Sequence, residues 1–381
     1  MSSIKGRRDG NIDFLRGLAL LMIFVDHVPY SLLSLFTVQS FAFSDAAELF
    51  FFLSGYVAAL VFLPYSERNG IVATTAKIWK RVWTIYTAQM VLALLLIAAA
   101  TALVALTAKP AYLDGFRLTP FFNQTDTSII PLVTLRYQPI YLDILPVYVL
   151  FFLTLPLILF AIRKDVWLAF FASLALYFCV QEFGWTFRTY PWNAGWMFNP
   201  LAWQIIFVLG ILSQYLSLGP WASSNRWIVI VSALIAACIA GFQFASAVHN
   251  FFPAFPTPHT IDLPIQKENL GWLRLVSFAA IAITMSAILP YLSLWKGRIG
   301  RAVVCCGRNP LPVFCLGAIL SIAGQVIWIE AGKSYLVQAA YSLIGIAILL
   351  GFAQVLEWMR EPERFLAHPP EKLAFAKEAA E

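Results

Sequence analysis

Residues 12–30, IDFLRGLALLMIFVDHVPY, are apolar enough to lie in a membrane, yet they carry Asp13, Arg16, Asp26 and His27. An ionisable group near mid-bilayer costs at least ~2.5 kcal/mol, and its retention points to use. On a helix the eleven-residue step from Arg16 to His27 leaves the two about 20° apart around the axis and ~16 Å apart along it. They share one stripe. Asp13 stands one turn before Arg16, where the two can neutralise each other near a membrane boundary. Asp26 points about 100° away and calls for a partner on another helix. Imidazole, with an unperturbed pKa of about 6.5, is the side chain best suited to move a proton at neutral pH.

The segment SDAAELFFFLSGY places Asp45 and Glu48 one turn apart where the next apolar run begins. Packed antiparallel to the first helix, they would join Asp26 and His27 in a titratable cluster, with Asp26 or Glu48 orienting the imidazole or relaying its proton. Beyond that run, YSERNGIVATTAKIWKRVWTIY gathers Lys77, Lys80 and Arg81. Such a basic rim anchors a membrane protein, and it also binds phosphate groups. Ser54 in LSGY lacks an elbow motif and makes a poor nucleophile. A membrane histidine often only bonds a neighbouring helix, and Arg16 alone could snorkel. The shared stripe, with carboxylates one helix away, favours chemistry.

The elements that must hold these groups follow from composition. The chain has 381 residues, 60% hydrophobic and only 12% charged, far below the ~25% charge of a soluble globule. It is expected to be an all-α polytopic bundle in the lipid bilayer. Ten apolar runs fit the ~20 residues needed per crossing: 12–36, 46–64, 82–107, 139–161, 166–182, 199–217, 227–248, 272–293, 309–330 and 335–356. An even number puts both termini on one side. Lys and Arg concentrate on the terminal side, leaving Lys109, Arg117, Arg136, Arg188, Lys267, Arg274 and Lys333 opposite, so both termini are expected inside. The net charge of +6 is absorbed by that rim and needs no nucleic acid.

A membrane domain is expected over 1–357 and a polar cytoplasmic tail over 358–381. The first run begins after only about a dozen residues, lacks a small-residue cleavage site and runs longer than a signal peptide's apolar core, and is expected to be retained. The five cysteines show no metal-ligand spacing, and neither a disulfide framework nor a metal site is expected. The long outer loops 108–138, 183–198 and 249–271 are rich in aromatics, Asn and Pro, a composition suited to sugars or to an interfacial belt. His249 and His259, placed in the last of them, are expected to be surface groups, as is His368 in the tail.

The pattern Arg16–x10–His27, followed by AAELFFFLSGY and a basic rim, resembles the acyltransferase-3 family of membrane acyltransferases. More closely, IDFLRGLALLMIFVDH, FSDAAELFFFLSGYVAAL, LRYQPIYLDILPVY, FNPLAWQIIFVLG, NLGWLRL and LPVFCLG resemble the OpgC branch. That resemblance implies a bacterial inner-membrane enzyme moving an acyl group, succinyl above others, from cytosolic acyl-CoA to hydroxyls of a periplasmic glucan, with no tightly bound cofactor. It assigns His27 as general base, Arg16 as guide for the donor, and Arg136, Tyr137, Asp143, Lys267 and Asn269 as acceptor contacts. The family's Arg-x-x-Arg feature is imperfect, since Ile78 stands three before Arg81. A proton-coupled glycan transporter or flippase, or an acyltransferase for another surface polysaccharide or lipid, are the alternatives.

Overall fold

The structure is a computed structural model and describes residues 10–252, 263–292 and 294–360. Its helices are α1 (Gly10–His27), α2 (Ala46–Thr107), α3 (Ala111–Gly115), α4 (Thr119–Asn123), α5 (Thr125–Val133), α6 (Ile144–Lys164), α7 (Val166–Phe183), α8 (Pro200–Tyr215), α9 (Leu218–Ser224), α10 (Arg226–Phe251), α11 (Trp272–Leu292), α12 (Arg298–Arg308), α13 (Pro310–Glu330) and α14 (Tyr335–Arg360). The all-α class holds among the described residues, where the only β pairing is an isolated bridge between Arg188 and Gly195. Seven helices, α2, α6, α7, α10, α11, α13 and α14, are long and apolar enough to cross a membrane. The pair α8 and α9, bent by 76°, raises the number to eight.

The first span is shorter than its apolar run. Pro29 disfavours helical backbone at Val28, so α1 stops at His27, and two 3-10 turns, Leu32–Phe36 and Val38–Ser40, carry the chain to α2. The histidine therefore occupies a helix end facing the loops. The second and third expected spans belong to one 62-residue helix broken at Gly70, whose φ of 76° and ψ of 170° are non-helical. A side chain is strained at that positive φ, which glycine adopts freely. Ser54 and Ile85 line one cavity of about 530 Å³, although a straight helix would set them ~46 Å apart. The two arms thus fold back on each other about Gly70, and the second brings its basic residues to the first.

α1 packs along α12 and α13, with α2 and α14 beside it, while α2 is flanked by α6 and α8. Close approach of α1 to α12 depends on small residues, as is common between membrane helices. A Cβ on Gly17 would collide with the Val303 carbonyl, and one on Gly307 with that of Asp13. Buried aromatics fill the centre, where Phe51 meets Tyr148, Phe151, Phe198 and Trp203. The residues from Trp358 to Arg360 continue α14. The rest of the tail, with His368, and also His259 lie outside the described residues, while His249 ends α10 rather than starting a loop.

Candidate active site

His27 Nδ1 lies 2.5 Å from the carbonyl oxygen of Ile23, one turn back on α1. A carbonyl can only accept, so Nδ1 carries the proton and Nε2 of the neutral ring keeps its lone pair. Tyr141 packs edge-on against the imidazole, ring centroids 4.8 Å apart. Burial pushes its phenol up to about 12, which keeps it a hydroxyl donor at neutral pH. A niche of about 10 Å³, roughly one water in size, lies beside the ring and is lined by Phe24, Tyr141, Phe314 and Ser321 among others.

The expected carboxylate partner of His27 is a correction. Asp26 accepts from Gln39 Nε2 at 2.9 Å, so its partner sits on the short connection rather than on another helix. Glu48 is fully buried and accepts from Arg274 Nε at 2.7 Å and from the Asp45 backbone N–H at 2.8 Å. Asp45 in turn accepts from the Ala47 N–H and pairs with Lys267 at 2.7 Å and Arg274 at 3.2 Å. Asp45 and Glu48 form a capping box that starts α2, and with Lys267 and Arg274 they make a quartet of zero net charge. The ring of His27 is oriented by its own helix instead. Arg274 and Lys267 went unrecognised as the acids' partners because they follow more than 200 residues later; the D-x-x-E spacing before an apolar run was the local signal for the cap.

At the other end of α1, the expected Asp13–Arg16 pair is present at 3.9 Å. Asp13 also meets Arg308 at 3.4 Å, and Arg308 continues to Glu357 at 2.9 Å. Arg16, Lys77, Lys80 and Arg81 all line the 530 Å³ cavity, together with Arg308 and Arg360. Among the described residues, six cations and no carboxylate line it. Its deep wall is formed by Ser54, whose hydroxyl lies 2.8 Å from that of Tyr148, and by Phe314. Phe314 also lines the niche beside His27, so this side chain borders both the basic cavity and the niche at the imidazole.

A second cavity, of about 880 Å³, opens among the loops at the His27 end of α1. Asp143 lines it, two residues from Tyr141, which packs on the His27 ring. The other four residues expected to contact an acceptor are not in that lining. Arg136 is exposed and hydrogen-bonds the Arg188 carbonyl, while Tyr137 is buried and donates to the Arg117 carbonyl at 2.5 Å. Lys267 is held by Asp45, and Asn269 accepts from Asn199 and Gln181. These four fasten loops together. Glu268, Trp192 and Gln138 line the cavity instead, and loop residues of this kind carry no periodicity that would reveal them in sequence.

Neither the curated proteins nor the solved structures include a match to this chain. The family described as OpgC protein matches residues 8–361, from before α1 to the end of α14. A match running through the basic cavity, His27 and the loops around the second cavity places the chain in the OpgC protein family.

Proposed function

We propose that this chain is an O-acyltransferase that uses acyl-CoA from one side of the bacterial inner membrane to modify a glucan on the other, with succinyl as the acyl group. Family membership supports acyl transfer to a glucan, and the apolar helices support a multi-pass membrane setting. The observation that carries the rest is the order of groups along α1. A cavity faced by six cations lies at Arg16, and a histidine with a free Nε2 lies at the opposite end.

In this account the phosphates of the donor dock against Lys77, Lys80, Arg81, Arg308 and Arg360, where charge-assisted bonds are strongest. The apolar arm and thioester extend past Arg16, which Asp13 holds. Passage to His27 requires Phe314 to swing aside, since the niche beside the ring is no larger than a water. The acceptor hydroxyl enters from the loop end. As its oxygen attacks the thioester carbon, Nε2 takes its proton; the carbon–sulfur bond then breaks and Nε2 returns that proton to the departing CoA thiolate, so CoA leaves as the free thiol and the ring is neutral again. Tyr141 and the Ile23 carbonyl hold the ring through this step.

Ten crossings follow if α1, both arms of α2 and the α8–α9 pair are each counted, with both termini in the cytosol and the polar tail from 358 beside them. The basic cavity then faces cytosolic CoA. Mass analysis of the periplasmic glucan from a strain lacking this gene tests the assignment. Normal glucan quantity with acyl substituents lost is the expected result. Loss of the glucan itself would favour transport, and loss of acyl groups from another envelope polysaccharide or lipid would move the acceptor.

A further inference from the structure

The 880 Å³ cavity is built by three separate loops: Asp114 to Gln124 from the connection after α2, Thr189 to Met197 from that after α7, and Glu268 from that before α11. It touches the catalytic end of the molecule twice. Asp143 stands two residues from Tyr141, which packs on His27. Glu268 follows Lys267, the cation bound to Asp45. Its volume is that of a cleft for a ligand of several rings.

Two features of the lining define what it would hold. Trp192 is 45% exposed, and its ring rests against buried Tyr137 with centroids 5.7 Å apart. Such a ring is fixed from behind and free in front, which suits stacking of the apolar face of a sugar. The remaining wall is rich in hydrogen-bonding groups, with Thr119, Asn123, Gln124, Gln138 and Thr189. Of its charged residues, Asp114, Asp143 and Glu268 are acidic and only Arg117 is basic. Carboxylates accept well from sugar hydroxyls, and the same excess of negative charge repels an anion.

We propose that this cavity is the acceptor subsite, that it binds neutral hexose units against Trp192, and that its acidic lining turns away units already bearing an anionic acyl group. The inference rests on the acyl-transfer reading and adds to it a limit on substitution built into the binding site. A hexose carrying a new succinyl group exchanges a hydroxyl donor for a carboxylate and leaves the cleft, so successive transfers fall on unmodified neighbours. An enzyme that read only the local hydroxyl would have no such spacing.

The test uses the full chain in lipid nanodiscs, with a neutral gluco-oligosaccharide and the same oligosaccharide carrying one chemically installed hemisuccinate per molecule. Calorimetric titration reports acceptor binding without chemistry, and initial rates with succinyl-CoA report transfer. The neutral probe is expected to bind about tenfold tighter, the scale of one good contact, with the gap narrowing as salt screens the carboxylates. The double variant Asp114→Asn, Glu268→Gln should narrow it at low salt and raise the number of acyl groups per glucan. Trp192→Ala should raise the acceptor KM about tenfold for both probes while the donor KM stays fixed, and Trp192→Phe should restore most of the loss.

Equal binding of the two probes, or an acceptor KM untouched by Trp192→Ala, would overturn the inference. If transfer were still abolished by His27→Ala in the same preparation, the acyl-transfer reading would stand without it. If no probe accepted an acyl group from the wild-type chain, the failure would lie in that reading.

Discussion

The two cavities at the ends of α1 differ in charge as much as in position. The one at Arg16 is faced by six cations and no acid, whereas the one beyond His27 is lined by three carboxylates and a single arginine. Aromatic side chains also wall the first far more, with Phe50, Phe62, Tyr148, Phe152 and Phe314 against Trp192 in the second. The difference is what two chemically unlike substrates require. On the proposed reading, a donor carrying several phosphates gains from a cluster of cations, while a polyhydroxyl acceptor gains from hydrogen-bond acceptors and one exposed ring. Between them the charge is cancelled: Asp45, Glu48, Lys267 and Arg274 neutralise one another. In the proposed mechanism this leaves His27 as the proton carrier at the junction.

The sharpest way to break this comparison is to remove the junction. His27→Ala is expected to lower the rate of acyl transfer by roughly 10³-fold, within the span of general-base contributions, with donor affinity little changed. Comparable rates for variant and wild type in purified preparations would move the chemistry elsewhere. Next in size is the neutral quartet. Arg274→Ala leaves Glu48 buried with a charge unpaired, a change that costs about 3–5 kcal/mol. The apparent Tm of the detergent-solubilised protein should fall markedly, and an unchanged Tm would mean that the quartet does not hold α2 to α11.

The basic cavity gives a smaller, kinetic effect. Lys80→Ala combined with Arg81→Ala is expected to raise the donor KM roughly 10- to 100-fold, from the ~1.5–3 kcal/mol of a hydrogen bond to a charged group, and to flatten its dependence on salt. A donor KM that stayed put would make these residues membrane anchors only. The smallest change expected is from Gly70→Ala, where a side chain at positive φ costs about 1 kcal/mol. It should loosen the fold between the arms of α2 and weaken donor binding by a few-fold at most, measurable as a shift in the same KM.

The legible parts of this molecule are those set by local spacing. The charged stripe of α1 and the Asp13–Arg16 pair follow from helical periodicity, and the clustering of Lys77, Lys80 and Arg81 from their nearness in sequence; the structure contains each. The end of α1 was also local, because Pro29 forbids the helix that hydropathy alone extends to 36. The D-x-x-E spacing of Asp45 and Glu48 fits both a titratable cluster and a helix cap, and the structure contains the cap. What could not be read are contacts across hundreds of residues. Arg274 meets Glu48, and Arg308 and Arg360 complete the basic cavity, through packing that leaves no pattern in either segment alone. Which loop residues line the second cavity is hidden for the same reason, since an irregular loop gives no register from which to place a side chain.

The central claim is that the two substrates meet at His27 from opposite sides of the membrane. Sealed proteoliposomes in which the chain has a single orientation test it, with labelled succinyl-CoA on the terminal side and a neutral gluco-oligosaccharide on the loop side. The account predicts label covalently attached to oligosaccharide on the loop side, none when donor is supplied on the loop side alone, and none with His27→Ala. Label transferred equally from either side, or unmodified oligosaccharide carried across the membrane, would contradict it.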